Sequence, residues 1–470
     1  MARSAAAAIV LLGLGLRLFG LGRKSVWFDE AITYFDAQAP WDQLIDMVRH
    51  DVHPPLGYVV YHLWPLLDAG DGWLRLPAAS LGALAVPVVI GWAWRLGIAF
   101  EALLGGLFLA LAPLQVDLAQ EARMYGLLLL LVATTLWLLD RVLVQPNWTN
   151  ALGYGLAGAA LLYTHYYGGL FLAAQGAAVV GLLVRSECMR GARWAMASLV
   201  GAGLAFVPWL PILVGQVGGI GGDYWIEAPK LQTLWLTFRD LVARTPPGGP
   251  FQLVLRVAYI AVAGLVSLGA SCAWRNARQW PALATLAVPV VLALGISILL
   301  APIYVTRYLS PMGIPLAFLL ARGIAAIGPR WLRALAVVVA LVPMVLSLWP
   351  LYFDPGYGRL DLRQAASVVQ SERQPDDIVL HLGPFTSAPF DYYRVAQPSL
   401  DVGSDERREL CQALEGRPAG WLVTTYALSD DQARSAAESG IDRPTYAADL
   451  IDRPPLRFAG LTVFHLRSCS

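Results

Sequence analysis

Charged residues are scarce in this sequence of 470 residues, since only 14% are Asp, Glu, Lys or Arg. Roughly a quarter of the residues of a soluble protein are charged, whereas 57% of the residues here are hydrophobic. The composition excludes an ordinary soluble protein and predicts an integral membrane protein. The formal net charge is only +1 and no dense Lys or Arg stripe occurs, so no nucleic-acid partner is expected.

Cysteine is equally scarce, with four residues at 188, 272, 411 and 469. They have no CxxC spacing and no histidine at ligand distance, so neither a zinc site nor a redox motif is predicted. Cys411 and Cys469 are the two that fall in the tail described below. They could form a disulfide, although Cys469 is one residue from the end of the sequence, where a mobile terminus controls geometry poorly.

Eleven apolar stretches are long enough to cross a bilayer, which takes about 20 residues each. They lie at 4–21, 76–94, 99–117, 122–140, 151–164, 166–184, 194–213, 250–272, 280–301, 308–326 and 331–350. No small-residue cleavage site follows the first, which predicts a retained anchor rather than a signal peptide. The fold class predicted for residues 1–350 is therefore an α-helical polytopic membrane domain with about 11 transmembrane helices.

The segment 54–67 is apolar but short, and the arginine distribution decides its place. If it does not cross and the N-terminus is cytoplasmic, ten arginines fall on short inner connections and only Arg123 and Arg307 on short outer ones. That distribution follows the positive-inside rule, and an additional span would invert it. We therefore predict a multi-pass plasma-membrane protein with interfacial helices, 54–67 among them, in a first outer loop over 22–75.

The tail, residues 351–470, holds 17 of the 33 acids and 12 of the 34 bases. A helical pattern at 361–370 alternates with strand candidates at 377–382, 420–425 and 461–466. This pattern predicts a small soluble α/β domain, long enough for its own core. By the same charge count it lies on the non-cytoplasmic side, as does the first outer loop.

Two adjacent carboxylates, Asp29 and Glu30, follow the first span at the outer boundary of the bilayer. Ionisable groups at that depth are costly and tend to be functional. The alternative is structural, because Asp29 could cap a helix running from Glu30 to Ala39.

Three further motifs carry polar residues on the predicted outer side. In DVHPP (51–55) the double proline starts a helix, and His53 could be incidental. In QEARMY (120–125) Glu121 and Arg123 do not share a helix face, and YVTRY (304–308) places Arg307 between tyrosines. Either arginine could instead be a snorkelling residue at a helix end.

A phosphate-bearing lipid fits carboxylates and arginines placed at the outer bilayer surface. Breaking the bond between a sugar and a polyprenyl phosphate increases the charge on the lipid phosphate, which arginine forks stabilise. A carboxylate near an acceptor hydroxyl can serve as general base. The alternative is a transporter or flippase of lipid-linked sugars, but transporters place ionisable residues near the bilayer midplane, whereas the acids here avoid helix centres.

The motifs Asp29-Glu30, HPP (53–55), RLP (75–77) with Gly82, QEARMY (120–125) and Arg307-Tyr308 together resemble those of GT-C glycosyltransferases over about residues 1–330. The resemblance is to the protein O-mannosyltransferase-like and aminoarabinose-transferase-like subgroup, of the glycosyltransferase family 39 type. It implies a GT-C fold and transfer, with inversion, of a sugar from a polyprenyl-phosphate donor to an acceptor hydroxyl. It also implies that Asp29 is the catalytic base, supported by Glu30.

The resemblance and the motifs predict a set of substrate-binding residues, in which Arg123 and Arg307 bind phosphate. The set is His53, Arg75, Glu121, Arg123, Tyr125, His165, Arg307 and Tyr308. The acceptor is expected to be a lipid, a polysaccharide or a protein. The β-trefoil repeats of eukaryotic protein mannosyltransferases are not inserted here, which disfavours a protein acceptor. The oligosaccharyltransferase signature WWDYG is also absent, which disfavours transfer of a large glycan to asparagine. No cofactor is required by this chemistry and no metal site is predicted, although Asp29 and Glu30 could supply ligands to Mg²⁺ or Mn²⁺.

Overall fold

The computed structural model describes residues 2–65, 70–97, 99–218, 226–244, 252–354, 357, 360–382, 385–395, 399–402, 407–425 and 449–469. The membrane part contains seventeen α-helices among the described residues. They are α1 (Ala2–Leu18), α2 (Phe28–Gln38), α3 (Trp41–His50), α4 (Leu56–Leu63), α5 (Asp71–Arg95), α6 (Ala99–Leu111), α7 (Pro113–Ala119), α8 (Tyr125–Val144), α9 (Trp148–Thr164), α10 (Tyr167–Val184), α11 (Met189–Phe206), α12 (Leu210–Gly218), α13 (Leu231–Val242), α14 (Gln252–Trp274), α15 (Trp280–Leu299), α16 (Gly313–Ala325) and α17 (Arg330–Phe353). Short 3₁₀ helices lie at Val207–Trp209, Ala277–Gln279 and Thr306–Met312.

Eight helical stretches of the described chain are long and apolar enough to cross a membrane, or nine if the bent pair α6 and α7 is one span. The protein is therefore a multi-pass membrane protein. Helices α1 and α9 coincide with two more predicted spans, but each has 17 residues, about 26 Å and slightly less than the roughly 30 Å hydrocarbon core. Each of the eleven predicted stretches contains a helix. Residues 250 and 251 of the eighth stretch lie outside the described residues. The number of eleven spans stays a prediction.

Several segments differ from the predicted pattern. Residues 66 and 67 of the helix predicted at 54–67 lie outside the described residues. In the described part only α4 is helical, because Pro55 stands at its N-cap and the chain is extended at Trp64. The span predicted at 308–326 begins with the 3₁₀ helix Thr306–Met312, which contains Pro311. Helix α13 was not predicted, since it lies in a stretch interpreted as a connection.

The span predicted at 99–117 as one helix is broken between α6 and α7, which differ in direction by 57°. Pro113 lacks the N–H that would bond the carbonyl of Leu109, and Pro113 instead starts α7. The guanidinium of Arg17, buried in α1, donates to Leu109 O and Ala110 O, both at 3.3 Å. A charged side chain thus supplies the donor that proline removes.

Close helix packing in the membrane part depends on small residues, as is usual for transmembrane helices. Helices α14 and α16 approach each other at Gly269 and Gly323. A methyl group on Gly269 would lie 1.9 Å from Leu319 O, and one on Gly323 would lie 1.9 Å from Leu265 O. Any larger residue at either position would force the two helices apart.

The tail forms a five-stranded sheet with the order β2-β1-β3-β5-β4. Strands β2 and β3 pair with β1 in parallel, and β5 pairs antiparallel with both β3 and β4. The elements are α18 (Leu362–Glu372), β1 (Ile378–Leu382), α19 (Ser387–Tyr392), β2 (Ser399–Val402), α20 (Arg407–Leu414), β3 (Ala419–Thr425), β4 (Leu456–Phe458) and β5 (Leu461–Arg467). The predicted α/β tail with its helix and three strands is confirmed, and the two short strands β2 and β4 were not predicted.

Both faces of the tail's sheet are covered, and the alternation along the strands decides which residues face which layer. Trp421 and Val423 of β3 pack in one cluster with α18 and α19 residues. Leu422 of the same strand packs in the other, with Leu410 and Leu414 of α20. The central strands β1 and β3 are therefore buried and mostly hydrophobic along their length, as is typical of a doubly covered sheet.

By compactness the chain divides into two units. The first comprises Met1–Phe19, Asp36–Leu66 and Leu74–Pro350. The second comprises Gly20–Phe35, Leu67–Trp73 and Leu351–Ser470. The second unit therefore contains, besides the tail, two stretches of the first loop that sequence analysis assigned to the membrane domain of residues 1–350.

Candidate functional site

In the first unit, the QEARMY motif forms a turn between α7 and α8. The predicted span 122–140 starts only at Tyr125, and the N–H of Arg123 donates to Glu121 O at 2.8 Å. Both Glu121 and Arg123 are buried. Gln120 fixes the turn, because its side-chain amide donates to Phe19 O at 2.9 Å and to Arg17 O at 3.2 Å.

Arg123 is the centre of a connected polar cluster that includes a predicted partner and two residues not in the predicted set. Its Nη1 donates to Tyr58 Oη at 3.4 Å. Its Nη2 lies 3.4 Å from His53 Nδ1. The hydroxyl of Tyr58 donates to Asp51, whose Oδ2 lies 3.4 Å from His53 Nδ1. Since one ring nitrogen faces both a cation and an anion, His53 can accept from Arg123 or donate to Asp51, but not both.

Asp51 of this cluster and Asp36, which is influenced by the charges of the cluster, have opposite pKa shifts. Burial alone would raise the pKa of Asp51, but hydrogen bonds from His53 and Tyr58 and the charge of Arg123 lower it below its ordinary value. Burial and the charge of Asp51 raise the pKa of Asp36 to about 6, against the opposing effect of Arg123. Asp51 is therefore ionised at neutral pH, while Asp36 titrates near the physiological range.

A group of aromatic side chains around His165, the residue that follows α9, adjoins the Arg123 cluster. The ring centroid of His165 lies 4.6 Å from that of Tyr308, 5.2 Å from His53 and 6.5 Å from Tyr125. Burial and the charges of His53 and Arg123 hold the pKa of His165 well below its ordinary value, so the ring is neutral.

The tautomer of His165 follows from a backbone N–H that bonds its ring. The N–H of Tyr167 donates to His165 Nδ1 at 3.1 Å, so the proton of the neutral ring is on Nε2. That Nε2 is buried and has no hydrogen-bond partner among the described residues. His165 therefore presents a donor that a bound anion can use.

A small apolar crevice in the first unit has Arg123 among its lining residues. Its other lining residues include Val60 of α4, Pro77 and Leu81 of α5, and Leu127 of α8.

The remaining predicted residues of the first unit are at different depths. Arg75 is almost completely buried within α5. Arg307 is half-buried in the 3₁₀ helix that also carries Tyr308. Tyr308 stacks on Tyr125 at 6.3 Å between centroids. The structure thus brings His53, Arg123, His165, Tyr125 and Tyr308 into one continuous set of contacts.

Asp29 and Glu30 belong to the second unit and lie in the first turn of α2. The alternative that Asp29 caps a helix starting at Glu30 is wrong, because α2 already starts at Phe28. Glu30 instead has the structural task, since its fully buried carboxylate accepts from the N–H of Trp27 at 3.4 Å, as the third residue of a capping box does. The side chain of Asp29 is half-exposed, at the positive end of the helix dipole.

Sequence reasoning missed Asp36 and Tyr58, and it noted Asp51 without assigning it to the site. The sequence signal that could have identified Tyr58 and Asp51 was their spacing in DVHPPLGY (51–58). Asp51 precedes the N-cap of α4, Pro55, and Tyr58 lies in the first turn of that helix. Within the described ranges no three His, Cys, Asp or Glu side chains gather as a metal site.

The whole-chain fold is similar to that of ArnT, an aminoarabinose transferase, from Cupriavidus metallidurans in the apo state. The TM-score is 0.62 at 14% sequence identity, over 99% of this chain and 98% of that chain. The chain has the GT-C fold. The predicted fold class is thereby confirmed.

The same GT-C enzyme bound to undecaprenyl phosphate is similar at a TM-score of 0.60, with 14% identity and coverage of 99% and 98%. The Saccharomyces cerevisiae Pmt1-Pmt2 protein O-mannosyltransferase complex matches at a TM-score of only 0.33 with 18% identity, over 52% of this chain and 34% of that chain. That similarity is too low to support an argument. No protein-family model matches the sequence, and no curated protein sequence matches it.

Proposed function

We propose that this protein is an inverting glycosyltransferase that moves a sugar from a polyprenyl-phosphate donor to an acceptor hydroxyl. The observation that carries the proposal is the buried cluster around Arg123, in which a guanidinium, the His53 ring and the His165 Nε2–H are gathered. Such donors suit a phosphate whose charge grows as the sugar leaves. The GT-C fold supports the same class of reaction, and undecaprenyl phosphate in the similar ArnT structure supports a lipid donor.

In this proposal Asp29 takes the proton from the acceptor hydroxyl, and the oxygen attacks the anomeric carbon as the phosphate leaves. Glu30 acts through structure, because it fixes the start of α2 and therefore the position of Asp29. Arg123, His165 and Tyr308 bind the donor phosphate, and His53 orients the guanidinium. Arg75, Glu121, Tyr125 and Arg307 complete the proposed substrate-binding set. A divalent cation, if one is used, would be held by carboxylates such as that of Asp29.

We further propose that the N-terminus is cytoplasmic and that the first loop and the tail are non-cytoplasmic. The arginine count supports this orientation. The Cys411–Cys469 disulfide, with Cα atoms 5.4 Å apart, gives independent support because disulfides persist in oxidising compartments. Cys188 and Cys272, on the opposite side by the same count, are free.

The experiment is native mass spectrometry of the lipid that copurifies with wild type and with Asp29→Asn. The amide has nearly the same shape but cannot accept a proton, and loss of a general base costs roughly 10²–10⁴ in rate. We expect the variant to retain a sugar-bearing polyprenyl phosphate, while the wild type, once given membrane extract as a source of acceptor, converts it to the bare polyprenyl phosphate.

Asp42→Asn, in the first turn of α3, is the matched control and should behave as the wild type. Equal conversion by Asp29→Asn and wild type would remove Asp29 from the base role. If neither protein converts the lipid, and the wild type moves intact lipid-linked sugar across proteoliposomes, the transport alternative replaces the proposal.

A further inference from the structure

Within the second unit, Tyr393 of the tail holds the backbone just before the helix that carries Asp29. The N–H of Val26 donates to Tyr393 Oη at 2.6 Å. The hydroxyl of Tyr393 in turn donates to Asp71 Oδ2 at 2.6 Å. Burial and the charge of Asp71 raise the pKa of Tyr393, so the hydroxyl keeps the proton that this chain of hydrogen bonds needs.

Arg363, at the start of α18, holds the same segment a few residues earlier. Its Nη2 donates to Gly22 O at 2.7 Å, to Lys24 O at 3.0 Å and to Asp71 Oδ2 at 2.6 Å. Its backbone N–H donates to Ser25 Oγ at 3.1 Å. Polar groups at 22, 24, 25 and 26 are therefore all bonded to the tail or to residues that the tail holds.

Aromatic side chains continue these contacts along α2. Phe28 packs edge to face on Phe385 at 5.4 Å between centroids, and Tyr34 packs on Tyr392 at 4.9 Å. Trp27 packs against the hydrophobic cluster of the tail. Contacts to the tail thus lie on both sides of Asp29 in sequence.

We infer that Tyr393 and Arg363 are positioning residues that fix Asp29, so that the tail is a working part of the catalytic apparatus. The inference rests on the proposed function. A hydrogen-bond network that includes four of the five residues from 22 to 26 is more than is needed to attach a loop. It specifies where α2 starts, and a displacement of about 1 Å of a reacting group can cost 10²-fold in rate.

The test compares Tyr393→Phe and Arg363→Lys with the wild type in three measurements. Hydrogen exchange of the amides at 22–30 should be faster in both variants, most clearly at Val26. Conversion of the copurified lipid-linked sugar should slow about 10- to 100-fold. The affinity for undecaprenyl phosphate should stay within about twofold of the wild type, since neither residue belongs to the phosphate-binding set. A general loss of structure would weaken this affinity.

Two matched controls keep the result specific. Arg453→Lys disturbs a tail arginine bonded to Glu372 at 2.9 Å, and Tyr163→Phe removes a tyrosine bond to a backbone carbonyl, Ala205 O at 3.0 Å. Both should leave exchange at 22–30 and conversion unchanged. Unchanged conversion in Tyr393→Phe despite faster exchange would overturn the inference, as would unchanged exchange. Failure of the wild type to convert the lipid would instead overturn the proposed function.

Discussion

Replacing Arg123 by alanine should weaken donor binding and turnover together. The guanidinium is buried, and its bonds to Tyr58 and His53 are both long, at 3.4 Å, so these two partners compete weakly with an anion. A hydrogen bond to a charged group contributes about 1.5–3 kcal/mol, which corresponds to about a 10- to 150-fold loss of affinity. Arg123→Lys should recover only part, because an ammonium lacks the planar fork.

The assay is binding of undecaprenyl phosphate to the purified protein in detergent, followed by native mass spectrometry. Arg141→Ala is the matched control, because Arg141 lies near the other end of α8, with Cζ 5.4 Å from the ring centroid of Trp137. It should bind as the wild type does. Affinity of Arg123→Ala within about threefold of the wild type would refute the phosphate role. Equal affinity of the lysine variant would reduce that role to charge alone.

Three more predictions concern pH, orientation and the tail. Because the pKa of Asp36 is raised to about 6, Asp36 gains a negative charge near Arg123 as pH rises from 5 to 7, which should weaken binding of undecaprenyl phosphate by the wild type but not by Asp36→Asn. The affinity of Asp36→Asn divided by that of the wild type should therefore rise over this pH range. A constant ratio would contradict this prediction. A cysteine placed at Gln43, in a chain without the two free cysteines, should react with impermeant reagents only from the periplasmic or extracellular side; labelling only from the cytoplasm would invert the topology. Cys411→Ser opens a loop of 58 residues and should destabilise the tail by up to about 4 kcal/mol in the chain-entropy model, seen as a lower thermal midpoint by circular dichroism; an unchanged midpoint would show that α20 and β5 hold the terminus unaided.

The site was predicted best where a motif is local in sequence. HPP (53–55) and QEARMY (120–125) pointed to His53 and Arg123 because a proline pair and a charged cluster at a helix end are visible without any tertiary contact. Asp36 was missed, because its importance comes from burial and from Asp51, fifteen residues away. Tyr58 was missed because a tyrosine on a short apolar helix has no distinguishing sequence pattern.

The role of Glu30 also could not be predicted from neighbouring residues alone. Adjacent carboxylates predicted a pair with shared chemistry, but the helix starts at Phe28, two residues earlier than a cap at Asp29 requires. The two side chains therefore have different environments, one buried on the Trp27 N–H and one half-exposed.

The sequence by itself determined the membrane class, the helical stretches and the α/β tail, because hydrophobic length and periodicity act locally and are written in consecutive residues. It also restricted the disulfide to one pair in the tail, which the structure confirms. Only the tertiary structure decided that Arg17 supplies donors at the break made by Pro113, and that the segment before Asp29 belongs with the tail. Both depend on residues about 90 to 370 positions apart, whose encounter is decided by packing and not by local preference.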